Sequence, residues 1–217
     1  MHYRGKNYKR IMLLGNSGSG KSWTAERLGK KTGYPVIYLD LECWQPGWTY
    51  PPEEVWYEKN REFVNKEEWI IDGNHHETME MRFQAADLIL FFDISRLQCV
   101  YSVWKRHGHK RVDLPDYLEE KRDKNFYQLL KWTWDFPKKR RPGLLSIFEK
   151  YQDKTILTFR TRKHFLRKCS RNGTMGKLWG RKKICFGLPF AMMRSTTGIK
   201  YIRFWIPGLP AGVWNIR

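Results

Sequence analysis

The chain has 217 residues, 41% of them hydrophobic and 16% aromatic, enough for one domain with a real core and an appendage. Its net charge of +19 implies attraction to polyanions: nucleotides, nucleic acid or an anionic membrane surface. Cys43, Cys99, Cys169 and Cys185 lie far apart with no C-x-x-C, which argues against a zinc site or a disulfide framework and suits a reducing compartment. No run reaches the roughly 18 apolar residues of a membrane-spanning helix. The start, MHYRGKNYKR, shows no signal-peptide pattern, so the expected location is the cytoplasm.

Arg10-Ile-Met-Leu-Leu14 predicts a short buried strand, and residues 21–31 predict a helix. Between them Gly15 to Ser22 read GNSGSGKS, which fits the phosphate-binding loop G-x-x-x-x-G-K-[ST]. The glycines Gly15, Gly18 and Gly20 allow a tight loop. Backbone N–H groups of Asn16, Ser17 and Ser19 can then converge with theirs on an anion, helped by the helix N-terminus. Lys21 is the candidate for the terminal phosphates of ATP, and the Ser22 hydroxyl is the candidate ligand of Mg²⁺.

Pro35-Val-Ile-Tyr-Leu-Asp40 predicts a second strand ending in a carboxylate. If the strand continued, Asp40 and Glu42 would point the same way, to accept a proton from an acceptor hydroxyl or help hold Mg²⁺. Trp44 and Trp48 follow, either to stack on a base or sugar or to pack their loop onto the domain. Residues 53–66 predict a helix. Trp69-Ile-Ile-Asp72-Gly73 predicts the next strand, with Asp72 the candidate metal ligand because Gly73 leaves the backbone open beside it. His75 and His76 lack metal-ligand spacing and are expected to face solvent at the start of a helix over 76–85.

Asp87 to Asp93 predicts a fourth strand whose last carboxylate rivals Asp72 for the metal or caps the next helix, 96–107. Arg82, Arg106, Arg111 and the Lys138–Arg141 cluster are candidates for closing on phosphate oxygens, since a guanidinium makes paired hydrogen bonds; Arg106 is the leading one. Residues 107–141 read as a basic lid with a helix from about Pro115 to Trp134. Thr155 to Phe159 predicts the fifth strand. Strands alternating with helices predict an α/β fold: a five-stranded parallel sheet with helices on both faces and a site at the strand ends. Residues 168–217 hold ten Lys/Arg and no Asp or Glu, a composition shift that separates a domain over 1–167 from an extension. The extension reads either as atypical and dispensable, or as an arm for nucleic acid or a membrane surface, with Trp179, Trp205 and Trp214 among its cations.

Taken together, GNSGSGKS, Tyr38-Leu-Asp40 with Trp44-Gln-Pro-Gly-Trp48, Trp69-Ile-Ile-Asp-Gly-Asn74, Ala86 to Asp93 with Arg96 and Cys99, Lys105-Arg106 and Arg141-Pro142 resemble the bacterial DNA topology modulation proteins. These are adenylate-kinase-like members of the P-loop class, and the resemblance covers about residues 9–167. It implies ATP and Mg²⁺ binding, a closing lid and a nucleoside- or nucleotide-kinase type of fold. It further implies that Asp72 orders the metal and that Arg106 contacts phosphates. Ser102 stands where that resemblance expects an arginine lying against adenine, Trp23 where a small hydroxyl residue is usual, and His75 where tyrosine is usual. The expected activity is transfer of the γ-phosphoryl group to a small acceptor, by Lys21, Asp40, Asp72 and Arg106. The alternative is a nucleic-acid-associated ATPase or nucleotide sensor acting on DNA topology.

Overall fold

The computed structural model describes residues 1–162, apart from 4, 110, 119 and 120. The chain divides into a unit Met1–Gly180 and a unit Arg181–Arg217; the extension expected over 168–217 lies outside the described residues. Two short strands, β1 (His2–Tyr3) and β2 (Lys6–Asn7), form an N-terminal hairpin that the hydrophobic pattern does not announce. Then come β3 (Arg10–Gly15), α1 (Lys21–Thr32), β4 (Val36–Tyr38), α2 (Leu39–Cys43), α3 (Glu53–Asn65) and β5 (Trp69–Asp72). A 3-10 turn (His76–Thr78), α4 (Met79–Ala85), β6 (Leu88–Phe92), α5 (Arg96–Arg106), α6 (Lys124–Lys139), α7 (Arg141–Lys150) and β7 (Thr155–Phe159) complete it.

Strands β3 to β7 form one parallel sheet in the order β4-β5-β3-β6-β7. Parallel strands need covered faces on both sides, and so read as continuous apolar runs. Alternate residues of β3 divide accordingly. Ile11 and Leu13 pack with Ala25 and Leu28 of α1 and Cys99 of α5. Met12 and Leu14 pack with Trp56 and Phe63 of α3, Phe83 of α4, Phe136 of α6 and Leu144 of α7.

Three boundaries differ from the sequence expectation. The second strand stops at Tyr38, because Leu39 starts the short helix α2 instead. The helix expected over 115–134 runs from Lys124 to Lys139, capped by Asp123, whose side chain accepts from the Phe126 N–H. Asp at an N-cap satisfies the free donors of the first turn, a stronger start signal than Pro115. It carries Pro137 in its last turn, and Phe136 and Thr133 are buried, so α6 belongs to the body of the domain. The segment expected as a lid therefore loses its helix to the domain, leaving the stretch between α5 and α6. Helix α7 has no counterpart among the expected elements.

Central strand β3 ends against its neighbour. Gly15 has φ of +141°, and a Cβ there would lie 2.5 Å from the Phe92 carbonyl oxygen of β6. Gly15→Ala should therefore destabilise the fold by about 1–3 kcal/mol, as overpacking typically does. A lower urea midpoint at unchanged m value is the expected readout.

Candidate active site

The loop after β3 wraps the N-terminus of α1. Gly18 has φ of +72°, and a Cβ there would sit 2.5 Å from the Cys99 carbonyl oxygen, so this close approach of loop to α5 requires glycine. Asn16, buried, donates through Nδ2 to the Thr133 carbonyl of α6 at 2.7 Å, tying the loop to that helix. Lys21 Nζ donates to the Asn16 carbonyl at 3.1 Å, folded back across the loop.

The root of the loop is held from the neighbouring strand. The Gly15 N–H donates to Asn74 Oδ1 at 3.1 Å, and Asn74 Nδ2 donates back to the Gly15 carbonyl at 2.9 Å. Arg82, fully buried, braces the same turn: its guanidinium donates to the carbonyls of Gly73 at 3.0 Å, Asn74 at 2.6 Å and His75 at 2.5 Å. Burial lowers its pKa to about 9. Arg82, expected as a phosphate clamp, is thus a structural brace. Arg141 is likewise engaged, forked onto Asp93 at 2.8 and 2.9 Å. Asp93, the expected rival of Asp72 for the metal, is paired there with Arg141.

Asp72 ends β5, in register with Leu13 on one side and Tyr38 on the other. It is 5% exposed, and its Oδ1 has no hydrogen-bond partner. Burial pushes its pKa up to about 6, against the opposing Lys21 charge and Ser22 hydroxyl. Ser19 Oγ, in the loop itself, is also buried without a partner. Two unsatisfied buried oxygens beside a lysine are what a bound phosphate and cation would satisfy. Among the described residues no group of three or more His, Cys, Asp or Glu could cage a metal alone. The donor set instead suits Mg²⁺, which takes one or two carboxylates and completes its shell with phosphate oxygens and water.

Asp40 lies in α2, two residues past its strand, so Asp40 and Glu42 do not share a face as an extended strand would make them. Glu42 turns to Lys59 of α3 at 2.7 Å. Asp40, nearly half exposed, meets His75 Nε2 at 3.0 Å. Crowding by protein pushes the Asp40 pKa up, but the His75 hydrogen bond and charge outweigh it and leave the carboxyl below its ordinary value. The expectation that His75 faces solvent is incorrect. Its side chain is only 6% exposed and its φ is +32°, because the braced turn after Gly73 aims the ring inward against Trp56 and Tyr50. His76 is exposed as expected. Trp44 packs edge-on against Trp48 at 5.5 Å and Tyr50 at 4.5 Å, so the two indoles at least order their own loop.

Two participants escape sequence reading. Asp113, from the lid, accepts from Ser22 Oγ at 2.8 Å and is forked by Arg111. Burial raises its pKa, yet Arg111 and Arg106 outweigh that and hold it at about 2. Arg106, at the end of α5, adds its charge to that field, and Arg111 is committed to the same carboxylate. Arg162, just beyond β7, donates to the Gly18 carbonyl and to Ser102 Oγ, both at 2.6 Å. The small hydroxyl at 102 thus receives a guanidinium from elsewhere in the chain.

A phosphate-loop sequence joins the central strand of this sheet to a helix, and its carboxylate partner ends the adjacent strand. The chain has an α/β fold in which a phosphate-loop motif follows the central strand of a five-stranded parallel sheet. No protein-family model and no curated protein matches it in sequence. Among solved structures it is similar to a shikimate kinase from Bacteroides thetaiotaomicron, at 16% identity and TM-score 0.46 over 76% of this chain and 96% of that one. It is also similar to a gluconokinase from Sinorhizobium meliloti 1021, at 15% identity and TM-score 0.43 over 78% and 93%. A deoxyadenosine kinase from M. mycoides matches at 12% identity and TM-score 0.36 over 69% and 88%.

Asp72 carries a stability prediction. Its folded pKa of about 6 lies above the ordinary 3.8. Between those values the folded state keeps a proton that the unfolded state has released, so this group's contribution is greatest below pH 4 and is lost as pH rises through 6. In chelator, Asp72→Asn should be more stable than the parent at pH 8 by up to about 3 kcal/mol. The gap should close by pH 4, as read by urea unfolding across that range.

Proposed function

We propose that this chain is an ATP-dependent kinase that moves the γ-phosphoryl group of ATP onto a hydroxyl of a small acceptor. One observation carries the reading: Lys21, Ser22 and the unsatisfied Asp72 gather at one strand end, with Asp40, itself hydrogen-bonded to His75, bearing on the same carboxylate. In this reading a phosphate end and an acceptor end share one site.

In this reading the loop from Gly15 to Gly20 cradles the phosphates by its backbone. Lys21 leaves the Asn16 carbonyl and reaches the terminal phosphates, and Arg106 offsets charge on the transferring group. Ser22 and Asp72 would hold Mg²⁺, which would supply neutralisation of the charge developing on the phosphate oxygens. Asp40 accepts a hydrogen bond from the acceptor hydroxyl, with His75 fixing its orientation. Its lowered pKa makes it a weak base. That suits phosphoryl transfer, where positioning and electrostatics matter more than proton abstraction. Arg162, bridging Gly18 and Ser102, is the candidate to lie against the base of ATP. A nucleoside- or nucleotide-type acceptor is the finer expectation of this reading. A cytoplasmic location belongs to the same proposal.

The DNA-linked ATPase remains the rival because of the net charge of +19, although the ten cations of residues 168–217 lie outside the described residues. The destination of the phosphate separates the two. Labelled ATP incubated with panels of nucleosides, nucleotides and small hydroxyl metabolites should yield a phosphorylated acceptor. Release of free phosphate alone, accelerated by DNA, would overturn the kinase reading. Lys21→Ala should retain the parent's circular dichroism and lower turnover at least a hundredfold, since loss of one preorganised electrostatic group typically costs about 3 kcal/mol. Turnover within tenfold of the parent would count against Lys21's role.

A further inference from the structure

Asp113 is an unexpected partner for the phosphate loop. It belongs to the turn-rich lid between α5 and α6, yet it is only 6% exposed. Its Oδ2 accepts from Ser22 Oγ and from Arg111 Nη2, each at 2.8 Å, and its Oδ1 accepts from Arg111 Nε at 2.9 Å. A serine hydroxyl has one proton and two lone pairs. With the proton directed at Asp113, the lone pairs of Ser22 are left to face a cation. Asp72 stands beside them, nine-tenths buried, with Oδ1 lacking any partner. Two carboxylates and a hydroxyl thus converge on the first turn of α1, held against Lys21, Arg106 and Arg111. The same lid segment touches the opposite side of the site, where Tyr117 Oη donates to the Trp44 carbonyl at 2.6 Å.

We propose that Asp113 is a metal-positioning residue carried by the lid, orienting the Ser22 hydroxyl toward Mg²⁺ so that the cation and the closed lid favour each other. This rests on the P-loop kinase reading and adds to it a residue that the loop motif does not contain. The reciprocity is a matter of linkage: if the lid in place strengthens metal binding, the metal must hold the lid in place by the same factor. Arg111 keeps Asp113 charged and fixes its rotamer, as a forked guanidinium does. The competing possibility is a latch, in which Asp113 blocks the hydroxyl and must leave before metal enters. A latch and a positioning residue predict opposite effects of removing the charge.

The test uses the full chain, Mn²⁺ in place of Mg²⁺, and the non-hydrolysable β,γ-imido analogue of ATP. Free Mn²⁺ is read by electron paramagnetic resonance, and limited proteolysis reports the accessibility of residues 107–123. In Asp113→Asn, Mn²⁺ affinity in the presence of the analogue should fall at least tenfold. Metal-free affinity for the analogue should stay within twofold of the parent, and Mn²⁺ should no longer protect the lid from cleavage. Asp113→Ala serves as the second variant, and for both an unchanged circular dichroism spectrum separates loss of metal from loss of fold. Unchanged or tighter Mn²⁺ binding in a folded variant, with the parent binding normally, overturns the positioning role and leaves the kinase reading standing. Failure of the parent itself to bind Mn²⁺ with the analogue overturns both.

Discussion

The reciprocal hydrogen bonds between the Asn74 amide and the Gly15 backbone are the constraint on which the site depends. They join the end of the central strand to the turn leaving its neighbour. The phosphate loop, the strand-end carboxylate and the inward histidine all hang from one side or the other of that joint. The phosphate loop begins on the Gly15 side. On the Asn74 side, Asp72 comes two residues earlier and His75 one residue later. The joint is rigid because Arg82 lies beneath it and donates to three successive carbonyls. A buried guanidinium is costly to desolvate, and here its hydrogen bonds to the turn offset that cost. The arrangement trades a potential phosphate-binding arginine for an exact turn.

Electrostatics then shape what the joint presents. Asp72 and Asp113 bear on one another and on the Ser22 hydroxyl, with Lys21 opposite. The two carboxylates respond differently. Asp113 has a forked arginine and stays charged, whereas Asp72 has no such partner and is held closer to neutrality. The site thus holds one carboxylate satisfied by a guanidinium and one whose Oδ1 has no hydrogen-bond partner. The segment between α5 and α6 reaches this centre through Asp113 and the aromatic loop through Tyr117.

Much of the fold was legible because its signals are local. Five apolar runs became five parallel strands, and Thr155–Phe159 kept its expected bounds. The phosphate loop was legible because its spacing must satisfy one backbone shape. The lid helix was misjudged because the Asp123 cap outweighs the earlier Pro115, and because Phe136 is drawn into the core. Asp40 moved off its strand when Leu39 was buried as the start of a helix. His75 read as solvent-facing because nothing nearby in sequence shows that Arg82 forces its turn inward. Asp113 and Arg162 carry no motif at all, since Asp113 meets Ser22 across 91 residues and Arg162 meets Ser102 and Gly18 across 60 and 144.

The sequence by itself determined the parallel sheet, the loop that can cradle phosphate and the strand-end carboxylate beside it. Those features follow from hydrophobic period, glycine spacing and residue type, which act over a few residues. Only the tertiary structure decided how the charges pair: Arg82 to backbone carbonyls, Arg141 to Asp93, Arg111 and Ser22 to Asp113, and His75 to Asp40. Pairing depends on which side chains long-range packing brings within about 3 Å, and the free energy of a buried charge is set by those few neighbours rather than by its place in the chain.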